Sequence, residues 1–466
     1  MGSPVDVVVM AAGKGTRMKS SRPKVLHRIG GRALAQHVID TAAGLSARSV
    51  VVITGHQAEA VEAGLIQPEA LSRLQFVRQE PQLGTGHAVQ QAMPVLPDDG
   101  VTLVLSGDVP LTEPGTLQAL IERCGGRDMA LLTLELPDPA GYGRVVRAPD
   151  GSVQAIVEHK DASPAQRDIR EVYSGVMAVP TARLRQWLSQ LGNDNAQGEY
   201  YLTDVVRMAV AAGETVQAYL ITDEVQVAGV NSPVQLAALE RAYQLRLAEG
   251  LMNQGVRLAD PSRLDVRGQL QCGQDVEIDV NCVFEGKVQL GNGVRIGANC
   301  VVANVSIGDH TAIAPFTHID GGNEGASVGQ GAAIGPFSRL RPGAHLGNEV
   351  HVGNFVEIKN STLADGAKAN HLAYLGDATV GERVNYGAGA ITANYDGANK
   401  HRTIIEADVH VGSNSVLVAP LTLGKGGTVG AGSVVTRGGE AGALTVTRAR
   451  QVSIANWQRP QKKPKS

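Results

Sequence analysis

The chain has 466 residues, a formal net charge of −3 and 43% hydrophobic residues. That length leaves room for two or three domains, and the apolar content excludes wholesale disorder. The slight negative charge argues against a nucleic-acid binder acting through bulk electrostatics. Aromatic residues make up only 3% while glycine reaches 56 residues, which predicts an interior too narrow for large rings and a backbone that turns often.

At the N-terminus no basic segment precedes the first apolar run. Residues 7–10 are far too short for a signal peptide or a membrane span. Met1-Gly2 suggests N-myristoylation, but Asp6 stands where that signal needs Ser or Thr. Cys124, Cys272, Cys282 and Cys300 form no C-x-x-C pair and have no histidine at zinc-ligand spacing. Scattered thiols fit a reducing compartment, so the expectation is a soluble cytoplasmic protein with no membrane partner.

Residues 1–229 alternate between strand-like and helix-like segments. Val5–Met10 is a β-branched run, residues 33–45 are helix-like, and residues 50–54 and 101–105 are further buried strands. This alternation predicts a mostly parallel α/β sheet, Rossmann-like, with ligands at the carboxyl ends of its strands. Residues 230–255 change character. Asn231 or Ser232 can cap a helix, Pro233 suits its first turn, and residues 234–253 are rich in Ala, Leu, Glu, Arg and Gln. The segment is a helical arm or the last helix of the first domain, which propensity does not separate.

Residues 256–466 form the second domain, and from about 266 to 437 the sequence repeats. Aliphatic or aromatic residues recur every sixth position: Ile278, Phe284, Leu290, Ile296, Val302; then Val328, Ile334, Leu340, Leu346, Val352, Ile358; then Val411, Leu417, Leu423, Val429, Val435. Period six fits neither an amphipathic helix nor an alternating strand. It fits a parallel β-helix, each hexapeptide making one flat side of a prism with its large residue pointing in. Phase slips at 304–307, 321–328 and 394–405 predict loops that leave the prism, where chemistry tends to sit. The tail carries Arg448, Arg450, Arg459, Lys462, Lys463 and Lys465, by default a solvated basic end.

The first turn carries a phosphate-loop candidate. Met10-Ala11-Ala12-Gly13-Lys14-Gly15-Thr16-Arg17-Met18 follows the first strand. It lacks the P-loop pattern, and Met18 stands where a dinucleotide fingerprint has its third glycine. Small residues still let backbone N–H groups close on a polyphosphate. Arg17 can neutralise charge on a leaving pyrophosphate, and Lys24 can hold another phosphate. A plain glycine turn fits the spacing as well.

The same run, with Pro23-Lys24, resembles the signature of sugar-1-phosphate nucleotidyltransferases. Gln79 with Leu83-Gly84-Thr85-Gly86-His87, then Gly107-Asp108, Gly141-Tyr142-Gly143-Arg144, Val157-Glu158-His159-Lys160-Asp161 and Asn195-Ala196-Gln197-Gly198-Glu199-Tyr200-Tyr201-Leu202-Thr203-Asp204 continue it in order. Joined to hexapeptide repeats, the chain is similar to the bifunctional N-acetylglucosamine-1-phosphate uridylyltransferase/glucosamine-1-phosphate N-acetyltransferase family over nearly its whole length. The resemblance implies that Gln79, Gly84 and Thr85 read the uracil of UTP, with Met10, Ala11, Ala12 and Gly13 around the nucleotide. Ser106 and Gly107 contribute backbone. Asp108 and Asn231 ligate Mg²⁺, a hard cation served by few protein oxygens. Gly143 and Glu158 bind the sugar of N-acetylglucosamine-1-phosphate. Tyr173 departs from the pattern, because the family usually has Asn there, and Ser106 replaces a common Tyr.

Acyl transfer to an amine needs a base, an oxyanion donor and a clamp for the acceptor's phosphate. Arg341, Lys359, His371 and Tyr374 supply these residue types within a few coils. A lone histidine is usually structural. By the resemblance, however, His371 is the catalytic base, and Glu357 is its orienting carboxylate. Arg341, Lys359, Tyr374 and Asn385 clamp glucosamine-1-phosphate. Ala388, Asn394, Tyr395, Ser413, Ala431 and Arg448 contact acetyl-CoA, and residues 392–400 form a loop reaching a neighbouring subunit. The resemblance also implies a left-handed β-helix and a homotrimer. Two other classes stay in view: a nucleotidyltransferase whose β-helix serves only assembly, which predicts an acyl site without its base, and a non-catalytic scaffold, which predicts a broken phosphate loop.

Overall fold

The computed structural model describes residues 3–462. Lys463, Lys465 and the Met1-Gly2 start lie outside the described residues. The chain divides after Arg246 into two compact units.

The first unit is built on a sheet that is nine-stranded among the described residues. In chain order its strands are β1 (Val5–Met10), β2 (Ser49–Thr54), β3 (Leu74–Arg78), β4 (Val101–Ser106), β5 (Met129–Glu135), β6 (Arg144–Arg147), β7 (Val153–Val157), β8 (Glu171–Pro180) and β9 (Val216–Ile221). Their order across the sheet is β9-β5-β8-β4-β1-β2-β3, with the β6–β7 hairpin attached to β8. β1 runs parallel to both β2 and β4, in register Met10↔Ile53 and Met10↔Ser106. β8 runs antiparallel to both β4 and β5, so the sheet is mixed rather than uniformly parallel. Val7, Val9, Val50, Val52, Leu103 and Leu105 pack into one apolar cluster; Val8, Val51, Ile53 and Val104 pack into another. Burial on both faces explains why these strands read as continuous apolar runs. The chain leaves β1 for one side of the sheet and returns at β4 on the other. This makes a switch point whose crevice lies beyond Met10 and Ser106.

The helix Pro233–Asn253 is one continuous element, and the division between the units falls within it.

The second unit is a parallel β-helix. An eleven-stranded ladder makes one face and a sixteen-stranded sheet wraps the other two, counted among the described residues. Ile278 pairs with Ile296, which pairs with Ile313, and the same column continues through Ile334, Val352, Ala369, Tyr386, Val411 and Val429. Every residue of the three period-six ladders is at most 4% exposed, and together they form one apolar column. Successive corners are held by side chains a coil apart, such as Asn281 Nδ2 donating to Asn299 Oδ1 at 3.0 Å.

Three sequence expectations change. Residues 304–307 do not leave the prism: they belong to the strand Val301–Ile307, where the missing residue is absorbed as a register shift opposite residues 285–288. Of the slips at 321–328 and 394–405 only 321–325 and 394–402 are loops, because Ala326–Val328 and Thr403–Ile405 are strands of the prism. The interior does admit rings, since Phe284 and Tyr386 are buried in the column, while Phe316, Phe337 and Phe355 stack on the outside at a corner.

Candidate active sites

In the first unit the carboxyl ends of β1 and β4 open into a cleft of about 290 Å³. It is lined by Met10, Ala11, Ala12, Gly13, Lys24, Val25, Gln79, Gln82, Gly84, Thr85, Ala88, Ser106, Asp108 and Glu199. Ala11 N donates to Ile53 O and Gly107 N to Met10 O, both at 2.9 Å, which ties the two loops to the sheet. Gly15 has φ 59°, and a Cβ there would come within 2.6 Å of Lys24 Cβ. Only glycine lets the loop close over Lys24.

Lys24 Nζ lies 2.5 Å from Asp108 Oδ2 and 3.2 Å from Asn231 Oδ1, and Arg17 Nη2 donates to the same Asn231 oxygen at 2.9 Å. Asn231 is fixed from its own backbone, because its N–H donates to Gln235 Oε1 at 2.8 Å in the first turn of the long helix. Val230 N donates to Asp108 O at 2.9 Å. Arg17, Lys24, Asp108 and Asn231, far apart in sequence, therefore meet at one point. The Lys24 ammonium sits between the Asp108 and Asn231 oxygens. Two hard oxygen donors, one charged, facing an open cleft fit Mg²⁺ bound mainly by phosphate and water.

At the cleft's other rim, Gln79 is 3% exposed and donates from Nε2 to Gly84 O at 2.9 Å, with His87 Nδ1 at 3.2 Å. Gly84 has φ 112°, and a Cβ would meet Tyr200 O at 2.6 Å. Thr85 Oγ1 accepts from Leu202 N at 3.0 Å. Backbone and one fixed carboxamide thus line this rim of the cleft.

Gly143 and Glu158 lie side by side: a Cβ on Gly143 would stand 3.8 Å from both carboxylate oxygens. Thr203 Oγ1 donates to Glu158 Oε1 at 2.9 Å. Burial, reinforced by the nearby carboxylates of Asp161, Asp204 and Glu199, pushes the Glu158 carboxyl above the usual range, against the Thr203 hydrogen bond. Tyr173 is 8% exposed, and its N–H donates to Gly143 O at 2.9 Å.

In the second unit the expected residues fall along two edges of one prism face. Asn354, His371, Ala388, Ser413 and Ala431 stack along one edge. Each corner is tied to the one below by Leu372 N to Asn354 O, Gly389 N to His371 O, Asn414 N to Ala388 O and Gly432 N to Ser413 O, at 2.8–3.1 Å. Arg448 follows the same edge: Cβ atoms on Gly430 and Gly432 would lie 3.6 and 3.7 Å from its side chain, on either side of Ala431. Along the other edge Lys359 pairs in register with Gly376. The neighbouring Lys400 pushes the Lys359 ammonium below the usual lysine range, with burial second. Asp377, 6% exposed, accepts from Asn360 Nδ2 at 2.5 Å and from Asn394 Nδ2. Between the edges lie Glu357 and Tyr374, paired in register, with the Tyr374 hydroxyl over Gly376. Asn385 is on the adjoining face, in register with Lys368 and His410.

Glu357 is not the ring partner of His371 in this structure. His371 Nδ1 meets Asn354 Oδ1 at 3.1 Å, while Glu357 Oε1 accepts from Arg341 Nη1 at 2.8 Å. The loop at 392–400 is folded on itself. Asp396 Oδ1 accepts from Ala398 N and Asn399 N at 2.8 and 2.6 Å, Asp396 Oδ2 meets His401 Nε2 at 2.7 Å, and Tyr395 OH donates to Gly397 O at 2.6 Å. Sequence reasoning missed Asn354, Lys400, Asp377 and Thr203. The first has a signal in hindsight, since it precedes His371 by one coil of 17 residues.

Comparison with known proteins agrees with both halves. Residues 7–175 match the MobA-like NTP transferase domain, residues 271–304 the bacterial transferase hexapeptide and residues 402–437 the hexapeptide repeat of succinyl-transferase. The chain is 72% identical over 467 residues to the "Bifunctional protein GlmU" of Polaromonas naphthalenivorans, covering 99% of each chain. It is 68% identical to the proteins of the same name from Polaromonas sp. (99% of each chain) and Albidiferax ferrireducens (98% of this chain, 100% of the other).

Proposed function

The chain belongs to the family of bifunctional GlmU proteins, and we propose that it makes UDP-N-acetylglucosamine by acetyl transfer in its second unit and uridylyl transfer in its first. The observation that carries this reading is that one chain holds both a charged cluster at a switch point and a histidine edge beside a lysine–arginine edge.

In the first unit Gln79, Gly84 and Thr85 hold the uracil of UTP, and Met10 to Gly13 wrap the nucleotide. Lys24 and Arg17 neutralise phosphate oxygens as pyrophosphate leaves, the main demand of an in-line transfer. Gly143 and Glu158 hold the acceptor sugar so that its phosphate oxygen faces the α-phosphorus. Asp108 and Asn231 would hold Mg²⁺, which would supply charge neutralisation on the phosphates.

In the second unit Arg341, Lys359 and Lys400 clamp the phosphate of glucosamine-1-phosphate, with Tyr374 and Asn385 on the sugar. Its amine attacks the thioester carbonyl of acetyl-CoA, the C–S bond breaks, and His371 takes the amine's proton. Ala388, Ser413 and Ala431 line the path of the cofactor's arm, with Asn394, Tyr395 and Arg448 as further contacts. The face carrying these groups is flat, and Asn385 lies around the corner from it. A homotrimer, in which the edge of one copy covers the face of the next, supplies the missing walls. Four free cysteines favour the cytoplasm. Among the described residues no helix is long and apolar enough to cross a membrane.

The test is a paired assay with Mg²⁺: pyrophosphate release from UTP and N-acetylglucosamine-1-phosphate, and thiol release from acetyl-CoA and glucosamine-1-phosphate. Both products are expected. Pyrophosphate without thiol reduces the β-helix to an assembly module, and silence in the first assay with response to another sugar phosphate changes the acceptor.

A further inference from the structure

Tyr173 is the residue where the chain departs from the pattern it otherwise follows, and it carries an unexplained polar atom. Its ring belongs to an apolar cluster on one face of the sheet, with Ala12, Val145 and Ile156. Its hydroxyl is buried and has no hydrogen-bond partner. Buried hydroxyls are nearly always paired, and phenylalanine would fill the same space without the desolvation cost. The backbone places it with care. β8 loses its register with β5 between Tyr173 and Met177, and Gly175, with φ 89°, turns the strand past Ser106 at the cleft floor. Gly143 joins Tyr173 to Glu158: the Tyr173 N–H donates to Gly143 O at 2.9 Å, and a Cβ on Gly143 would stand 3.8 Å from both Glu158 carboxylate oxygens, beside Ile156 of the same cluster.

Glu158 has unused capacity. An ionised carboxylate accepts about four hydrogen bonds, whereas Thr203 Oγ1 is the side-chain donor the structure gives it. Staying an ionised acceptor for a sugar hydroxyl is disfavoured in a half-dry pocket among Asp161, Asp204 and Glu199. A further donor would make that possible. We propose that Tyr173 is a positioning residue for the acceptor sugar: its sealed hydroxyl becomes a donor to Glu158 when the sugar engages that carboxylate. An asparagine at this position would touch the sugar itself, whereas the tyrosine acts through Glu158. The proposal rests on the reading of the first unit as a sugar-phosphate uridylyltransferase.

The experiment is steady-state kinetics of pyrophosphate release by the full chain, by Tyr173→Phe, by Glu158→Gln and by the double variant. Tyr173→Phe is expected to raise KM for N-acetylglucosamine-1-phosphate about tenfold, the size of one lost charge-assisted hydrogen bond, with KM for UTP unchanged. The double variant is expected to be no worse than Glu158→Gln alone, because coupled residues are non-additive. An unaltered acceptor KM in Tyr173→Phe makes the ring a space filler and overturns the proposal, as do additive effects in the double variant. A joint rise in KM for UTP overturns it too, since that reports a distorted cleft. No pyrophosphate from the unaltered chain defeats the substrate reading itself, whatever the variants do.

Discussion

The ammonium of Lys24 lies 2.5 Å from Oδ2 of Asp108. Both groups face the cleft, so on the proposed reading a triphosphate with its metal would have to open this pair. Lys24→Ala is expected to cut pyrophosphate release by about 10²–10³-fold, the usual loss for one preorganised charge donor. Thiol release by the same sample should not change. Lys24→Arg should not restore the rate, because a planar guanidinium cannot take a compact ammonium's place between Asp108 and Asn231. Equal loss of both activities would mean that Lys24 matters for folding instead.

His371 and Glu357 give a second prediction, because their partners differ from expectation. His371→Ala should lower thiol release by about 10²–10⁴-fold, the range for a lost general base. Asn354→Ala, which frees the ring, should lower kcat by about tenfold. Glu357→Gln should act instead on KM for glucosamine-1-phosphate, since the carboxylate steadies Arg341 at 2.8 Å. A pH profile of kcat that shifts in Glu357→Gln but not in Asn354→Ala would reverse these roles.

The β-helix was legible because its signal is a period, and a period survives without knowing which strands pair. The two edges of its active face were not, because Asn354 and His371 become neighbours only once a coil length is fixed. The slip at residue 304 misled for the same reason: a strand can lose one residue by a bulge and stay in the prism. In the first unit the family resemblance put Asp108 and Asn231 on one ion, but not that Lys24 and Arg17 meet them there. The antiparallel β8 was invisible because a buried strand reads alike in either direction. The outer stack of Phe316, Phe337 and Phe355 defeated composition, which counts rings without saying which side of the wall they occupy.

Lys359 and Lys400 supply a third prediction. The Lys400 ammonium beside Lys359 holds Lys359 below the usual lysine range. Lys359 therefore loses its proton at a lower pH than a free lysine, and phosphate affinity falls with it. Lys400→Ala should move the alkaline limb of kcat/KM for glucosamine-1-phosphate to higher pH. It should also raise KM at neutral pH, because one clamp charge is gone. Lys400 is exposed and Lys359 only half-buried, so both effects should shrink as salt rises toward 0.15 M and the Debye length falls to about 8 Å. A limb that stays in place would separate the two lysines functionally.

Glu158 supplies the last prediction, on stability. Its carboxyl is pushed up chiefly by burial, then by Asp161, Asp204 and Glu199. A folded-state value above the unfolded one means the folded form holds its proton more tightly. The stability linked to Glu158 is then fully present below the ordinary carboxylate value and is lost as pH rises through the raised one. Above that raised value the unaltered protein carries a half-buried charge that weakens its first unit. Glu158→Gln removes that charge and keeps an oxygen for Thr203 to donate to. Its first unfolding transition at pH 7 should lie a few degrees above that of the unaltered chain. The gap should close as pH falls through the carboxylate range, even as the variant binds the acceptor sugar worse. Scanning calorimetry at pH 7 and pH 4.5 checks this. A variant less stable at both values would show that Glu158 is held by more than Thr203, and that its charge strengthens the fold.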